Sequence, residues 1–315
     1  MKKISLIGAG NIGSILAYSI SRKKLGNIVL VDVVDGLAKG KCLDLSQSFA
    51  VENINLDIHG TTDISNIKNS DVIIITAGVA RKPGMSRDDL IEINFSIISD
   101  IGKSIKKYSP NAFVICITNP LDAMTWSLKK VANLKKNMIV GMAGILDSAR
   151  FKYFLSLEIG VSVENIQTMV LGGHGDTMVP LLEYTSVSGI PIKDLIQLGL
   201  LKKKNLNNII ERTRNGGGEI VGLLKNSSAF FSPACSAIEM IESYIFNQKK
   251  LLPCSAYLQG EYGANDIFIG VPTIIGKKGV EKIINLKLSQ SEKKQFLNSK
   301  NAVIDLTKKC NKLLV

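Results

Sequence analysis

Two histidines occur in this chain of 315 residues. One of them, His174, stands in the run Leu171-Gly172-Gly173-His174-Gly175-Asp176-Thr177. Imidazole is the side chain whose ordinary pKa lets it take and return a proton near neutrality. The glycines around it let the backbone turn sharply and approach another group closely. A polar loop histidine capped by Asp176 explains the same residues, so the turn alone decides nothing. Asp147 and Arg150 are the next groups with chemistry to offer. Their i, i+3 spacing puts both on one face of a helix predicted to begin near Ile145. A local salt bridge is the plain reading of that pair. The same carboxylate also suits holding a histidine ring N–H and stabilising its cation. The guanidinium suits a planar, two-point grip on a carboxylate.

A second constellation lies at the start of the chain. Lys3 to Ile7 reads as a short apolar strand, followed by Gly8-Ala9-Gly10-Asn11-Ile12-Gly13 and a helical pattern to about Lys24. This is G-x-G-x-x-G in its required context. The first glycine allows the turn, the second lets a pyrophosphate reach the backbone, and the third lets helix pack on strand. Free N–H groups at the helix start then face the phosphates. A second strand, Ile28 to Val31, ends in Asp32, where a carboxylate accepts from the adenosine ribose hydroxyls and repels a 2′-phosphate. NAD is therefore expected rather than NADP. An ordinary turn acid is the alternative for Asp32.

Two loops carry further polar groups. Ala77 to Arg87 is long, has glycines, and holds Arg81 and Arg87; it suits a closing lid that lowers guanidinium groups onto an anion. Two solvated arginines are the plain alternative. In Thr118-Asn119-Pro120 the proline ends a strand and leaves Asn119 at its tip, a position also common for turn asparagines.

These groups require a scaffold of alternating elements. Helices are expected over Gly36 to Val51, Asp88 to Tyr108 and Leu121 to Ala132. Strands are expected over Leu56 to Gly60, Asp71 to Thr76, Ala112 to Ile117 and Met138 to Val140. Val72-Ile73-Ile74-Ile75 is a continuous apolar run, the mark of a strand covered on both faces. The alternation stops around Gly141 to Gly144. Beyond it the pattern predicts a strand over Ile166 to Leu171. Helices follow near Lys193 to Leu200, Asn205 to Lys225 and Pro233 to Asn247. Antiparallel strands over Leu252 to Leu258 and Ile267 to Gly276 precede a final helix over Ser291 to Leu313. The expected fold is α/β: a Rossmann doubly wound parallel sheet over 1–143, then an α+β substrate domain with antiparallel strands over 144–315. Gly216-Gly217-Gly218 inside a helical pattern implies close packing, a ligand edge or a hinge.

Composition narrows the function classes. Hydrophobic residues make up 45% and aromatics 6%, and no apolar run approaches a membrane span. The N-terminus enters a strand directly and leaves no room for a signal segment, so a cytoplasmic location is expected. Five scattered cysteines without a C-x-x-C pair argue against a disulfide framework or a zinc site, and no metal is expected. The net charge of +12 comes from short lysine groups dispersed along the chain, without aromatic interleaving. That pattern is a solvated surface rather than a nucleic-acid or membrane footprint.

Taken in order, these motifs resemble the lactate/malate dehydrogenase family from end to end. The resemblance rests on Gly8 to Gly13, Asp32, the Arg81–Arg87 loop, Thr118-Asn119-Pro120, Asp147 with Arg150, and Gly173-His174-Gly175-Asp176. Within the family the chain is similar to malate dehydrogenases of the lactate-dehydrogenase-like bacterial type. Gly78 to Met85 decides this, since lactate enzymes usually carry glutamine where Arg81 stands. The resemblance implies NAD held by Gly8, Ala9, Gly10, Asn11, Ile12, Gly13 and Asp32, with Asn94, Ile117, Thr118 and Asn119 against the nicotinamide half. It implies His174 as proton acceptor supported by Asp147. Arg150 would grip the carboxylate beside the reacting carbon and Arg81 the distal one, with Arg87 and Asn119 on the hydroxyl. The implied partners are a small dicarboxylate, malate or oxaloacetate, and further copies of the chain in a homodimer or homotetramer. An L-lactate or other 2-hydroxyacid dehydrogenase is the alternative, and a non-catalytic NAD-binding protein a distant one. Ser227 and Phe231-Ser232 depart from the family pattern of glycine and Tyr-Ala.

Overall fold

The structure is a computed structural model and describes residues 1–79 and 87–314, without the Arg87 side chain. Strand β1 (Lys3–Ile7), helix α1 (Asn11–Arg22), β2 (Asn27–Val31), α2 (Leu37–Glu52) and β3 (Ile58–Thr61) form the first parallel half. Strand β4 (Val72–Ile75), α3 (Arg87–Tyr108), β5 (Phe113–Cys116), α4 (Leu121–Ala132) and β6 (Ile139–Gly141) form the second. Every residue of β4 is fully buried because helices cover both faces of the sheet. Each such branched side chain contributes roughly 1.5–3 kcal/mol relative to exposure. Alternation along the strands divides the core. Ile4, Leu6, Ile74 and Ile115 meet α1, whereas Ile73, Ile75, Val114 and Cys116 meet α3 and α4.

Helix α5 (Gly144–Ile159) opens the remainder. Short strands β7 (Ile166–Gln167), β8 (Val170–Leu171), β9 (Val179–Pro180), β10 (Ser186–Val187) and β11 (Ile190–Pro191) follow. Then come α6 (Ile192–Gln197), α7 (Lys203–Leu224), α8 (Phe231–Ile245), β12 (Lys250–Gln259), β13 (Asn265–Gly276), β14 (Gly279–Ile283) and α9 (Gln290–Lys312). The main sheet runs β14-β13-β12-β6-β5-β4-β1-β2-β3. Its parallel strands leave β1 in opposite directions, so the crevice for a ligand lies at the carboxyl ends of β1 and β4.

Two local expectations change. The single strand expected over Ile166 to Leu171 is interrupted, because Ser148 of α5 accepts from the Thr168 hydroxyl at 2.9 Å and from the Val170 N–H at 3.0 Å. As a result β7 pairs with β10 and β8 with β9. The late antiparallel strands extend the parallel sheet through Ser255 opposite Gly141. A Cβ at Gly141 would lie 2.9 Å from the Ser255 Cβ and the Thr125 Oγ1, so this junction requires glycine. Among the described residues, no helix is long and apolar enough to cross a membrane, and no cluster could hold a metal ion.

Candidate active site

His174 follows β8 in a turn whose Gly172 and Gly175 adopt φ of 89° and 130°, values that favour glycine. Gly173 faces α9 so closely that a Cβ there would lie 2.7 Å from Val303 Cγ2. Asp147 sits in the first turn of α5, and its Oδ2 lies 3.0 Å from His174 Nδ1. A carboxylate only accepts, so Nδ1 carries the proton and leaves Nε2 as the ring's acceptor. Burial disfavours the charged ring, yet the Asp147 charge and hydrogen bond outweigh it and hold the imidazole pKa above its ordinary value. Arg150, one turn further on the same face, places Nη1 3.5 Å from Asp147 Oδ1. Burial pulls its pKa down while Asp147 opposes this; a guanidinium remains charged regardless.

His174 and Arg150 border a cavity of about 270 Å³ that also touches Ile12, Asn119, Met142 and Gly217, with Asp147 behind the histidine. A larger hollow of about 530 Å³ between Tyr262, Leu286 and Lys300 holds none of them. Helix α7 passes unbroken through Gly216-Gly217-Gly218, so the triplet is no hinge: Gly216 packs on Arg150, and Gly217 and Gly218 edge the cavity. A Cβ at Gly216 would lie 3.1 Å from Arg150 Cδ. The absence of side chains there makes room for the arginine's stem.

The glycine turn fits a dinucleotide. A Cβ at Gly8 would lie 2.5 Å from Thr76 Oγ1, and one at Gly13 would drive into the Gly8 carbonyl. Gly10, by contrast, has nothing within 4 Å of such an atom, which leaves the approach for a phosphate open. The start of α1 has no side-chain cap, so its N–H groups remain available to an anion. Asp32 closes β2 and accepts from the Ala9 N–H at 2.7 Å and the Val34 N–H at 2.9 Å. It shapes the turn as well as presenting a carboxylate beside it. Lys41 of α2, which no spacing in the sequence singles out, donates to the Ala9 carbonyl at 2.6 Å and to Ser14 Oγ at 2.7 Å.

Asn94 and Thr118 act on the backbone around the strand ends. The Asn94 amide donates to the Asn119 and Val79 carbonyls at 2.7 and 3.1 Å and accepts from the Val79 N–H at 2.8 Å. Thr118 donates to the Ala77 carbonyl at 2.6 Å. Ile117 and Asn119 reach the cavity wall with His174. Asn11 donates to Ser227 at 3.2 Å, bringing one departure from the family pattern to the cradle's edge. Phe231 is largely exposed at the start of α8. Arg81 lies outside the described residues, as does the Arg87 side chain. Besides Lys41, the sequence reading missed Asp122 and Ser299, which accept from the backbone N–H groups of His174 and Gly173 at 3.0 and 2.8 Å. Nothing in their spacing marks them; only the tertiary fold brings them to the turn.

Residues 2–141 match the family model for the NAD-binding domain of lactate/malate dehydrogenases, and residues 145–313 that for the α/β C-terminal domain. The chain belongs to the lactate/malate dehydrogenase family. It is an NAD-dependent enzyme of that family, as the glycine turn and Asp32 imply, and its fold is the one expected from the alternation of elements. Malate dehydrogenase of Cryptosporidium parvum is 44% identical, with 99% of each chain covered and a TM-score of 0.96. Lactate dehydrogenase of Eimeria maxima, solved with NADH and oxamate, is also 44% identical, covering 99% of this chain and 96% of that one at a TM-score of 0.95. Lactate dehydrogenase of C. parvum, solved with lactic acid and NAD, is 41% identical, with 98% of each chain covered and a TM-score of 0.95.

Proposed function

We propose that this enzyme is an L-malate dehydrogenase, interconverting L-malate and oxaloacetate, with residues 1–143 binding the cofactor and 144–315 carrying the proton-transfer groups. The observation that carries the chemistry is the His174–Asp147 hydrogen bond at 3.0 Å beside Arg150, on a cavity that Ile12 and Asn119 also line. The Gly8–Gly13 turn and Asp32 would hold NAD, which when bound would supply the hydride acceptor. His174 Nε2 takes the hydroxyl proton, and Asp147 steadies the resulting imidazolium. Arg150 grips the carboxylate next to the reacting carbon through its planar donors. Asn119 and Arg87 hold the hydroxyl, and Arg87 polarises the carbonyl in the reverse direction.

Choice of malate rests on Arg81 in the loop after β4. A guanidinium placed to meet the distal carboxylate of a dicarboxylate would face a methyl group in lactate or pyruvate. Sites built around such a polar pair reject the analogue lacking it by about 10⁴–10⁵. The second reading, lactate, is favoured by the lactate dehydrogenase that stands at the same 44% identity as a malate enzyme. The same family likeness supports a homodimer or homotetramer. NADH oxidation followed with oxaloacetate and with pyruvate tests the proposal. Oxaloacetate should be strongly preferred, and Arg81→Gln should lower turnover on it while raising turnover on pyruvate. An unchanged preference in that variant refutes the Arg81 role, and no NADH oxidation with either acid refutes the dehydrogenase chemistry.

A further inference from the structure

We infer that Asp122 and Ser299 are positioning residues that hold the His174 turn by its backbone, and that the Asp122 carboxylate supplies a second negative charge toward the His174 ring. This rests on His174 being the proton acceptor.

Consecutive N–H groups of the turn are taken by side chains from two different helices. Ser299 of α9, fully buried, accepts from the Gly173 N–H at 2.8 Å and donates to Thr177 Oγ1 at 3.0 Å. Asp122, in the first turn of α4 and 5% exposed, accepts from the His174 N–H at 3.0 Å through Oδ2. Its other oxygen accepts from the Ser255 hydroxyl at 2.5 Å. Packing leaves the turn little freedom to find other partners, because a Cβ on Gly173 would already press Val303 and approach Asp122 Oδ2 to 3.3 Å. The donors of a buried turn must be met somewhere, and here both are met by groups outside the turn.

A neutral asparagine could accept the same N–H, so the choice of a carboxylate needs its own reason. The start of α4 and two donors favour the ionised form, yet burial outweighs them and pushes the Asp122 pKa up to about 6. Carrying this charge thus works against folding above that pH. Held on the His174 backbone N–H, the charge is near enough to favour protonation of the imidazole. The groups around it among the described residues are His174, Asp147 across the turn, and the Cys116 thiol of β5 behind it. Around His174 itself stand Asp147 and Arg150 of α5, and Arg214 of α7 and Asp176 line the same cavity. Arg150 opposes ring protonation, whereas Asp147 and Asp122 both favour it. Asp122 therefore offsets the arginine that the substrate needs.

The chain has only two histidines, so an NMR titration in a His59→Gln background reads His174 directly and without turnover. Asp122→Asn keeps an acceptor for the His174 N–H and removes the charge. The expected result is a His174 midpoint lowered by about half a unit or more, the acid limb of hydroxyacid oxidation moved down equally, and a higher Tm at pH 8. Ser299→Ala leaves the charge alone. It should lower kcat about tenfold or more through displacement of the ring, with the His174 midpoint unchanged. If Asp122→Asn fails to fold, Ser255→Ala strips one donor from the carboxylate and should move the His174 midpoint the same way. An unmoved midpoint in the folded Asp122→Asn or Ser255→Ala protein overturns the charge role, and wild-type kcat in Ser299→Ala overturns the positioning role. Failure of the native enzyme to turn over would instead strike the assignment of His174, which the titration leaves separate.

Discussion

The contact between Gly216 and Arg150 lends itself to a paired test within one helix. Glycine inside a helix costs about 1 kcal/mol relative to alanine, so replacing either Gly216 or Gly222 of α7 should stabilise the backbone alike. For a chain of this size that gain amounts to about 2 °C in Tm. The two sites differ in what the new methyl meets. At Gly222 nothing lies within 4 Å, whereas at Gly216 the Cβ stands 3.1 Å from Arg150 Cδ and 3.5 Å from Nε. Arg150 cannot simply retreat, since its side chain is 13% exposed and its guanidinium already faces Asp147. Displacement by a few tenths of an ångström should spoil one of the two parallel bonds proposed between Arg150 and the substrate carboxylate. A charge-assisted hydrogen bond is worth about 1.5–3 kcal/mol, or about tenfold to a hundredfold in kcat/KM. Thermal melts and steady-state kinetics of Gly222→Ala and Gly216→Ala make the comparison. The first should gain Tm at unchanged kcat/KM, and the second should lose kcat/KM for the oxo acid. Wild-type kcat/KM in Gly216→Ala would refute the claim that the glycine face seats a substrate-binding arginine.

Two further outcomes follow from the site. His174 must be neutral to accept a proton, and its pKa is raised above the ordinary 6.5. Hydroxyacid oxidation should therefore rise with pH through a midpoint above 6.5, and oxo-acid reduction should fall through the same midpoint; profiles of kcat/KM in both directions with a midpoint at or below 6.5 would refute this. Asp32→Asn keeps an acceptor for the Ala9 N–H while removing the charge that repels a 2′-phosphate. The ratio of kcat/KM for NAD over NADP should fall about tenfold, equivalent to roughly 1.4 kcal/mol, and an unchanged ratio would remove Asp32 from cofactor choice.

The parallel half was legible because its signals are local. Val72-Ile73-Ile74-Ile75 is typical of a strand covered on both sides, and the glycine turn sits between the strand and helix that it joins. Asp147 and Arg150 were legible as a pair because three residues bring side chains to one helix face. What escaped depends on contacts distant in the chain. Ser148 of α5 breaks the strand expected over Ile166 to Leu171 by accepting from the Thr168 hydroxyl and the Val170 N–H, and no periodicity encodes that competition. Asp122 and Ser299 carry no local signal at all, and only the packing of α4 and α9 brings them to the same turn. Asn94 was placed near the nicotinamide half by resemblance. The structure gives its amide to Val79 and Asn119, a role visible only once the strand ends are side by side.

The junction at Gly141 and Ser255 has a mechanical consequence. One sheet spans both halves of the chain, and Ala237, Ile238 and Ile241 of α8 share a single apolar cluster with Leu16 and Ile20 of α1. The glycine turn and the histidine turn are thus bolted to a common beam. A hinge between the halves would have to shear that cluster, so the span from phosphate cradle to imidazole is set when the chain folds. Ligands arrive at a ruler already cut to length.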